Sequence, residues 1–159
     1  LLFLTPIGQT LDKYMEDEIM LSKSRLNELS ISFVLNFDEY CFYFGGDTPN
    51  SLINLSCNEV IKKCKWTTIP HHGSKTSIQL RSILKNNFDC AFCSTYFKNS
   101  LPSDEVLKAY KNIETNHIDV TQKTMPDTHS YGVVEYDYDF SSIPKSKLII
   151  KRYGNAYKY

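Results

Sequence analysis

The sequence predicts a layered α/β domain in which helices cover a β-sheet. Three observations carry that expectation. From Trp66 onward, apolar or β-branched runs alternate with loops and amphipathic segments: WTTIP, HHGSKTS, IQLRSILKN, FDCAFCSTY, LPSDEVLKAYKNI and HIDVTQ. Ahead of them, residues 30–46 hold two strand-like runs broken by Asp38-Glu39, which reads as a hairpin. Finally, GVVEYDYDF and KLIIKRYG read as a closing antiparallel pair. The 159 residues, 42% of them hydrophobic, fit one domain over 1–159 with its own core.

Taken in order, LLFLTP reads as a core strand entered midway, and with no initiator methionine the sequence reads as the later part of a larger domain. Positions 10–25 space Leu11, Tyr14, Met15 and Ile19 as a helix does, around an acidic Glu-Asp-Glu. SISFVLNF alternates polar and apolar as a strand, and CFYFGGD answers it. Thr48-Pro49 then starts a helix, with Thr48 as N-cap and Pro49 at the first helical position. Leu52, Ile53, Val60, Ile61 and Cys64 give it an apolar side, and Lys62, Lys63 and Lys65 suit its C-terminal end. A later helix is capped by Ser103, with Asp104 and Glu105 in its first turn.

Composition narrows the function. Lys+Arg and Asp+Glu stand at 18 each, so there is no basic excess for strong non-specific nucleic-acid binding. A modest basic C-terminus (Lys145, Lys147, Lys151, Arg152, Lys158) leaves specific or transient contact open. No apolar run is long enough to span a membrane. Five cysteines, without a signal peptide or a disulfide-framework spacing, suggest reduced thiols and a cytoplasmic setting. Cys90-Ala-Phe-Cys93 matches C-x-x-C but lies in an apolar strand, so it reads as buried and structural.

Two loops hold metal-competent side chains, each at the exit of a strand: Gly45-Gly46-Asp47-Thr48 and His71-His72-Gly73-Ser74. That is where α/β proteins place their sites. A carboxylate with imidazoles is a fitting mixed ligand set for zinc or manganese. Taken singly, G-G-D also reads as a turn with an Asp cap, and H-H as a surface loop feature.

The run NELSISFVLNFDEYCFYFGGD, a helix and then TTIPHHGSKTS resembles the metallo-β-lactamase fold. It is most similar to the soluble domain of competence DNA-uptake channel proteins and their free-standing relatives. The shared pieces are Asn27-Glu28-Leu29-Ser30, Gly46-Asp47 and Pro70-His71-His72-Gly73-Ser74, and the resemblance spans residues 1 to 136. It implies half of an αββα sandwich, its C-terminal part. It also implies a metal-dependent hydrolase, acting on a phosphodiester such as DNA or a nucleotide. Asp47 would bridge two zinc or manganese ions, and His72 would be the last histidine ligand. His71 would be its support or an alternative ligand, while Ser74 and Lys75 would meet a substrate phosphate.

The departures from that pattern matter. The fold's first metal motif, H-x-H-x-D-H, is absent and would precede Leu1, so an upstream segment or a protein partner would supply those ligands. A histidine usual before a proline is here Leu101-Pro102. Two other readings follow: an inactive domain used for protein binding or regulation, and a metal-free loop cradling phosphate with backbone amides. His117 reads as a strand-edge residue. His129, in PDTHSYG, reads as an exposed loop histidine or as a substrate contact above the metals.

Overall fold

A computed structural model describes residues 1–6, 8, 11–12, 26–37, 40–53, 55–77, 88–95, 101–113, 115–121, 132–139 and 147–159. The strands are β1 (Leu2–Thr5), β2 (Ser32–Phe37), β3 (Tyr40–Phe44), β4 (Trp66–Thr68), β5 (Cys90–Cys93), β6 (His117–Val120), β7 (Val133–Asp139), β8 (Lys147–Tyr153) and β9 (Tyr157–Lys158). Two α-helices are described, α1 (Leu55–Ile61) and α2 (Asp104–Asn112). The fold is mixed α/β. A seven-stranded mixed sheet runs in the order β1-β2-β3-β4-β5-β6-β9, and β7 and β8 form a separate antiparallel pair.

The hairpin read from SISFVLNF and CFYF becomes an antiparallel register from Phe33↔Phe44 to Phe37↔Tyr40. Strands β3 to β6 are parallel. Their carboxyl ends therefore share one edge of the sheet, and the two singled-out loops meet there.

Side chains alternate across the sheet and so divide its faces. Val34, Tyr43, Thr67, Ala91 and Ile118 make one row across five strands. On that side Val34, Tyr43, Ala91 and Ile118 join Cys57 and Ile61 of α1 and Val106, Leu107 and Tyr110 of α2 in one buried core. The other side is aromatic. Trp66 and Phe92 stand edge-on to Tyr136 of β7, at centroid distances of 5.6 and 6.1 Å. Phe42, Phe44 and Cys90 complete a trough of about 360 Å³ beneath it. Tyr136 Oη donates to Asp119 Oδ2 at 2.9 Å, and Arg152 of β8 pairs with Asp119 Oδ1. The β7–β8 pair is thereby fastened over β4 to β6. Towards β1 the same face carries a stack of Phe3, Phe33 and Phe44, with Phe3 63% exposed.

Several expectations need correcting. β1, read as a core strand, is one only in its second half and ends the described sheet order: Leu4 and Thr5 are buried, but Leu2 and Phe3 are exposed. Thr48 does not cap a helix, because its hydroxyl is drawn to Ser30 O (3.2 Å) and Thr5 Oγ1 (2.9 Å). A 3₁₀ turn (Asn50–Leu52) follows, and the described span of α1 is Leu55–Ile61. Ser103 occupies the N-cap of α2 without a side-chain capping bond. Cys41 and Cys64 are paired as a disulfide, their Cα atoms 4.4 Å apart, where reduced thiols were expected. The pairing was hidden because it joins β3 to the turn before β4, 23 residues on. Of the helix expected over 10–25, only positions 11 and 12 are described, and both are helical. IQLRSILKN and His129 lie outside the described residues. Among the described residues no helix is long and apolar enough to cross a membrane.

The C-x-x-C cysteines are buried on opposite sides of β5, and burial pushes both thiols up to about 12. At pH 8 the thiolate fraction is then about one part in ten thousand. Iodoacetamide at pH 8 is expected to leave Cys90 and Cys93 unmodified in the native protein and to label both in urea, as read by peptide mass spectrometry. Native labelling at the rate of an ordinary thiol would contradict their burial.

Candidate metal centre

The loops leaving β3 and β4 touch because residue 45 has no side chain. A Cβ on Gly45 would collide with the Pro70 ring. Gly45 N–H donates to Thr68 Oγ1 (2.9 Å), and His71 N–H donates to Gly46 O (2.8 Å). The second loop then turns left-handed. His71 (φ 50°, ψ 44°), His72 (φ 52°, ψ 25°) and Gly73 (φ 75°) follow one another in the region that L-residues avoid. Each non-glycine residue there costs about 1–2 kcal/mol. Such strain persists only where the surroundings enforce it, and it clusters at functional sites.

That turn aims the two imidazoles differently. His72 Nδ1 lies 2.7 Å from Ser94 O. A carbonyl only accepts, so Nδ1 carries the proton, and in the neutral ring Nε2 presents a lone pair. Nε2 faces Asp47 Oδ1 at 3.4 Å, with the two side chains 50% and 40% exposed. Two lone-pair donors facing each other need a proton or a cation between them. Tetrahedral zinc, with bonds of about 2.0–2.2 Å, separates its donors by about 3.3–3.5 Å. The pair therefore fits as two ligands of one ion, with the histidine tautomer already set by its backbone partner.

His71 is committed elsewhere. Asn27 Nδ2 donates to its Nε2 (3.1 Å), and its Nδ1 then donates to Thr76 Oγ1 (2.8 Å). Thr76 Oγ1 in turn donates to Ser74 Oγ (3.2 Å). The chain runs in one direction, and His71 ties two loops together. Lys75 reaches Glu105 of α2 at 3.3 Å and is 73% exposed. With Ser74 it borders a cleft of about 750 Å³, closed on the far side by Leu101, Pro102 and Lys108. Asp104 and Glu105 offset the two lysines there, so the cleft is mixed in charge. His117 opens β6, an interior strand, and its Nδ1 is buried without a hydrogen-bond partner among the described residues. Burial, with Lys158 nearby, holds its imidazole below the usual histidine range.

Asp47 and His72 thus come together, with His71 bonded alongside and Ser74 and Lys75 at the neighbouring cleft. Among the described residues no group of three or more His, Cys, Asp or Glu side chains is placed to hold a metal ion, so Asp47 and His72 stand as a facing pair without a third such side chain. Two contributors carried no signal of their own in the sequence. Ser94 acts through its carbonyl, which any residue has, and Thr76 acts only because the left-handed turn brings it round. No known protein family matches this sequence, and neither the curated proteins nor the solved structures contain a match.

Proposed function

We propose that this chain is the C-terminal half of a metallo-β-lactamase-like αββα sandwich and part of a metal-dependent hydrolase acting on a phosphodiester, DNA or a nucleotide. The observation that carries the reading is the facing pair Asp47 Oδ1 and His72 Nε2, 3.4 Å apart, with His72 Nδ1 held by Ser94 O. Asp47 and His72 would hold zinc or manganese, Asp47 bridging if two ions bind. No third donor stands beside them among the described residues, and an upstream segment or a protein partner would supply the remaining ligands. The row of Phe3, Phe33 and Phe44, with Phe3 exposed and the other two half-buried, is the face on which a second layer would pack. A bound divalent ion supplies an activated water and polarises a phosphoryl oxygen.

This chain's own residues do the rest. Ser94 O fixes the His72 proton on Nδ1, so Nε2 stays directed at Asp47. Asn27 and Thr76 hold the His71 ring and, with it, the backbone of the strained turn. Ser74 and Lys75 line the cleft in which a substrate phosphate would sit, with Lys75 steadied by Glu105. The preference for phosphodiesters rests on the resemblance of P-H-H-G-S and the preceding G-D to the DNA-uptake branch.

Elemental analysis after equilibrium dialysis against zinc tests this, on the longest polypeptide that contains the chain. Retained metal is expected, with Asp47→Ala and His72→Ala each losing more than the roughly 10–100-fold affinity that a supporting contact is worth. A second reading, a fold kept for protein binding, is favoured by Leu101 at the usual histidine position and by the lack of a third donor beside Asp47 and His72 among the described residues. Absence of metal in a polypeptide that includes the upstream half would put that second reading first.

A further inference from the structure

One short turn touches both metal-site loops. The 3₁₀ turn Asn27–Leu29 is closed by Ser30 N–H donating to Asn27 O at 3.1 Å. From its two ends it reaches out through side chains: Asn27 Nδ2 to His71 Nε2 (3.1 Å), and Ser30 Oγ, which accepts from Asp47 N–H (2.8 Å). We propose that Ser30 is a positioning residue that seats the Asp47 carboxylate against His72, with the Asn27 amide doing the matching work on the histidine loop. The proposal rests on the metal reading of Asp47 and His72.

Ser30 is itself held from beneath. Its carbonyl accepts from Thr5 Oγ1 (3.0 Å) and from Thr48 Oγ1 (3.2 Å). Thr5 Oγ1 also lies 2.7 Å from Ser32 Oγ and 2.9 Å from Thr48 Oγ1, and Ser32 N–H donates to it at 3.1 Å. Thr5, Ser32 and Thr48 are 1%, 0% and 2% exposed. Hydroxyls this deeply buried are costly to leave unpaired, so the network fixes one arrangement. Its members come from β1, β2 and the segment just after Asp47, elements far apart in sequence.

Gly46 shows how closely the Asp47 loop sits on this support. A Cβ there would lie 2.5 Å from Ile31 O and 2.7 Å from Ser30 Oγ, and Gly46 has φ +54°. Only glycine allows the Asp47 amide to descend onto the serine hydroxyl. Asp47 is 40% exposed, and a carboxylate on an exposed loop would otherwise sample many positions. Fixing its backbone removes most of that freedom before any ion arrives.

The test uses Mn²⁺ alone as a probe, with residue-specific NMR line broadening reporting affinity and thermal unfolding of the metal-free protein reporting stability. Wild type is expected to broaden at Asp47 and His72 first. Ser30→Ala should weaken that response roughly tenfold, the loss typical of a removed supporting contact. Ser30→Cys keeps the volume but offers a poor acceptor, and should weaken binding likewise. Tyr136→Phe is the control: it removes a hydroxyl that donates to Asp119 Oδ2 at 2.9 Å, on the aromatic face of the sheet. It should lower the unfolding temperature while leaving the Mn²⁺ response within about twofold. Unchanged Mn²⁺ affinity in both Ser30 variants, beside a responsive wild type, overturns the role of Ser30 alone. An equal loss in Tyr136→Phe overturns it too, because stability would then explain the effect. A wild type without broadening at Asp47 and His72 removes the metal reading and this proposal together.

Discussion

Asp119→Ala is expected to destabilise the domain by about 3–5 kcal/mol, the usual cost of removing one partner from a buried ion pair. Asp119 is 0% exposed, and both its oxygens are used: Oδ1 by Arg152 of β8 and Oδ2 by the Tyr136 hydroxyl of β7. Truncation strands a guanidinium that is only 27% exposed and a phenol wedged between Trp66 and Phe92. These two contacts are how the β7–β8 pair is fastened to the aromatic face. Loosening is therefore expected there first, as lost amide protection in β7 and β8 with β3 to β5 still protected. Urea unfolding gives the total. Asp119→Leu combined with Arg152→Leu should recover most of the loss, since an apolar pair leaves no charge behind. If Asp119→Ala falls within about 1 kcal/mol of wild type, the pair does not fasten that layer.

How much of this was legible in the sequence depends on how local each signal is. The β2–β3 pairing was readable because the alternation in SISFVLNF and the apolar run CFYF, a short turn apart, are properties of neighbours. The site loops were readable because small residues and metal-competent side chains follow apolar runs. Long-range partners were not. Nothing near Asp119 announces Arg152, 33 residues later, and nothing near Cys41 announces Cys64. Thr48 was misread for the same reason: its N-cap signal is local, but its hydroxyl is taken by Ser30 and Thr5, brought in by the sheet. β9 is two residues long, too short to leave a period. The left-handed turn falls between these cases. Histidine tolerates that region better than β-branched residues do, yet two in succession is set by tertiary contacts rather than by propensity.

Gly73→Ala tests that turn, with an expected loss of about 2–5 kcal/mol and of metal binding at Asp47 and His72. Two costs add. An alanine held at φ +75° carries about 1–2 kcal/mol of backbone strain. Its methyl would also lie 2.5 Å from Pro102 Cβ, 3.2 Å from Pro102 Cα and 3.3 Å from Cys93 Sγ, and such overpacking costs about 1–3 kcal/mol. Neither neighbour can yield easily. Cys93 is fully buried in β5, and Pro102 leads into α2, where Ser103 N–H donates to Gly73 O at 2.9 Å. Relief has to come from the loop itself, by swinging φ of residue 73 negative. That unwinds His72 away from Ser94 O and Asp47, so the stability loss and the binding loss share one cause. Gly8→Ala is the matched control: a Cβ there meets nothing within 4 Å among the described residues, and its effect should stay within about 0.5 kcal/mol. Urea unfolding and Mn²⁺ titration of both variants separate the cases. A Gly73→Ala protein that keeps wild-type stability and wild-type Mn²⁺ binding would mean that the turn is not held left-handed by Pro102 and Cys93.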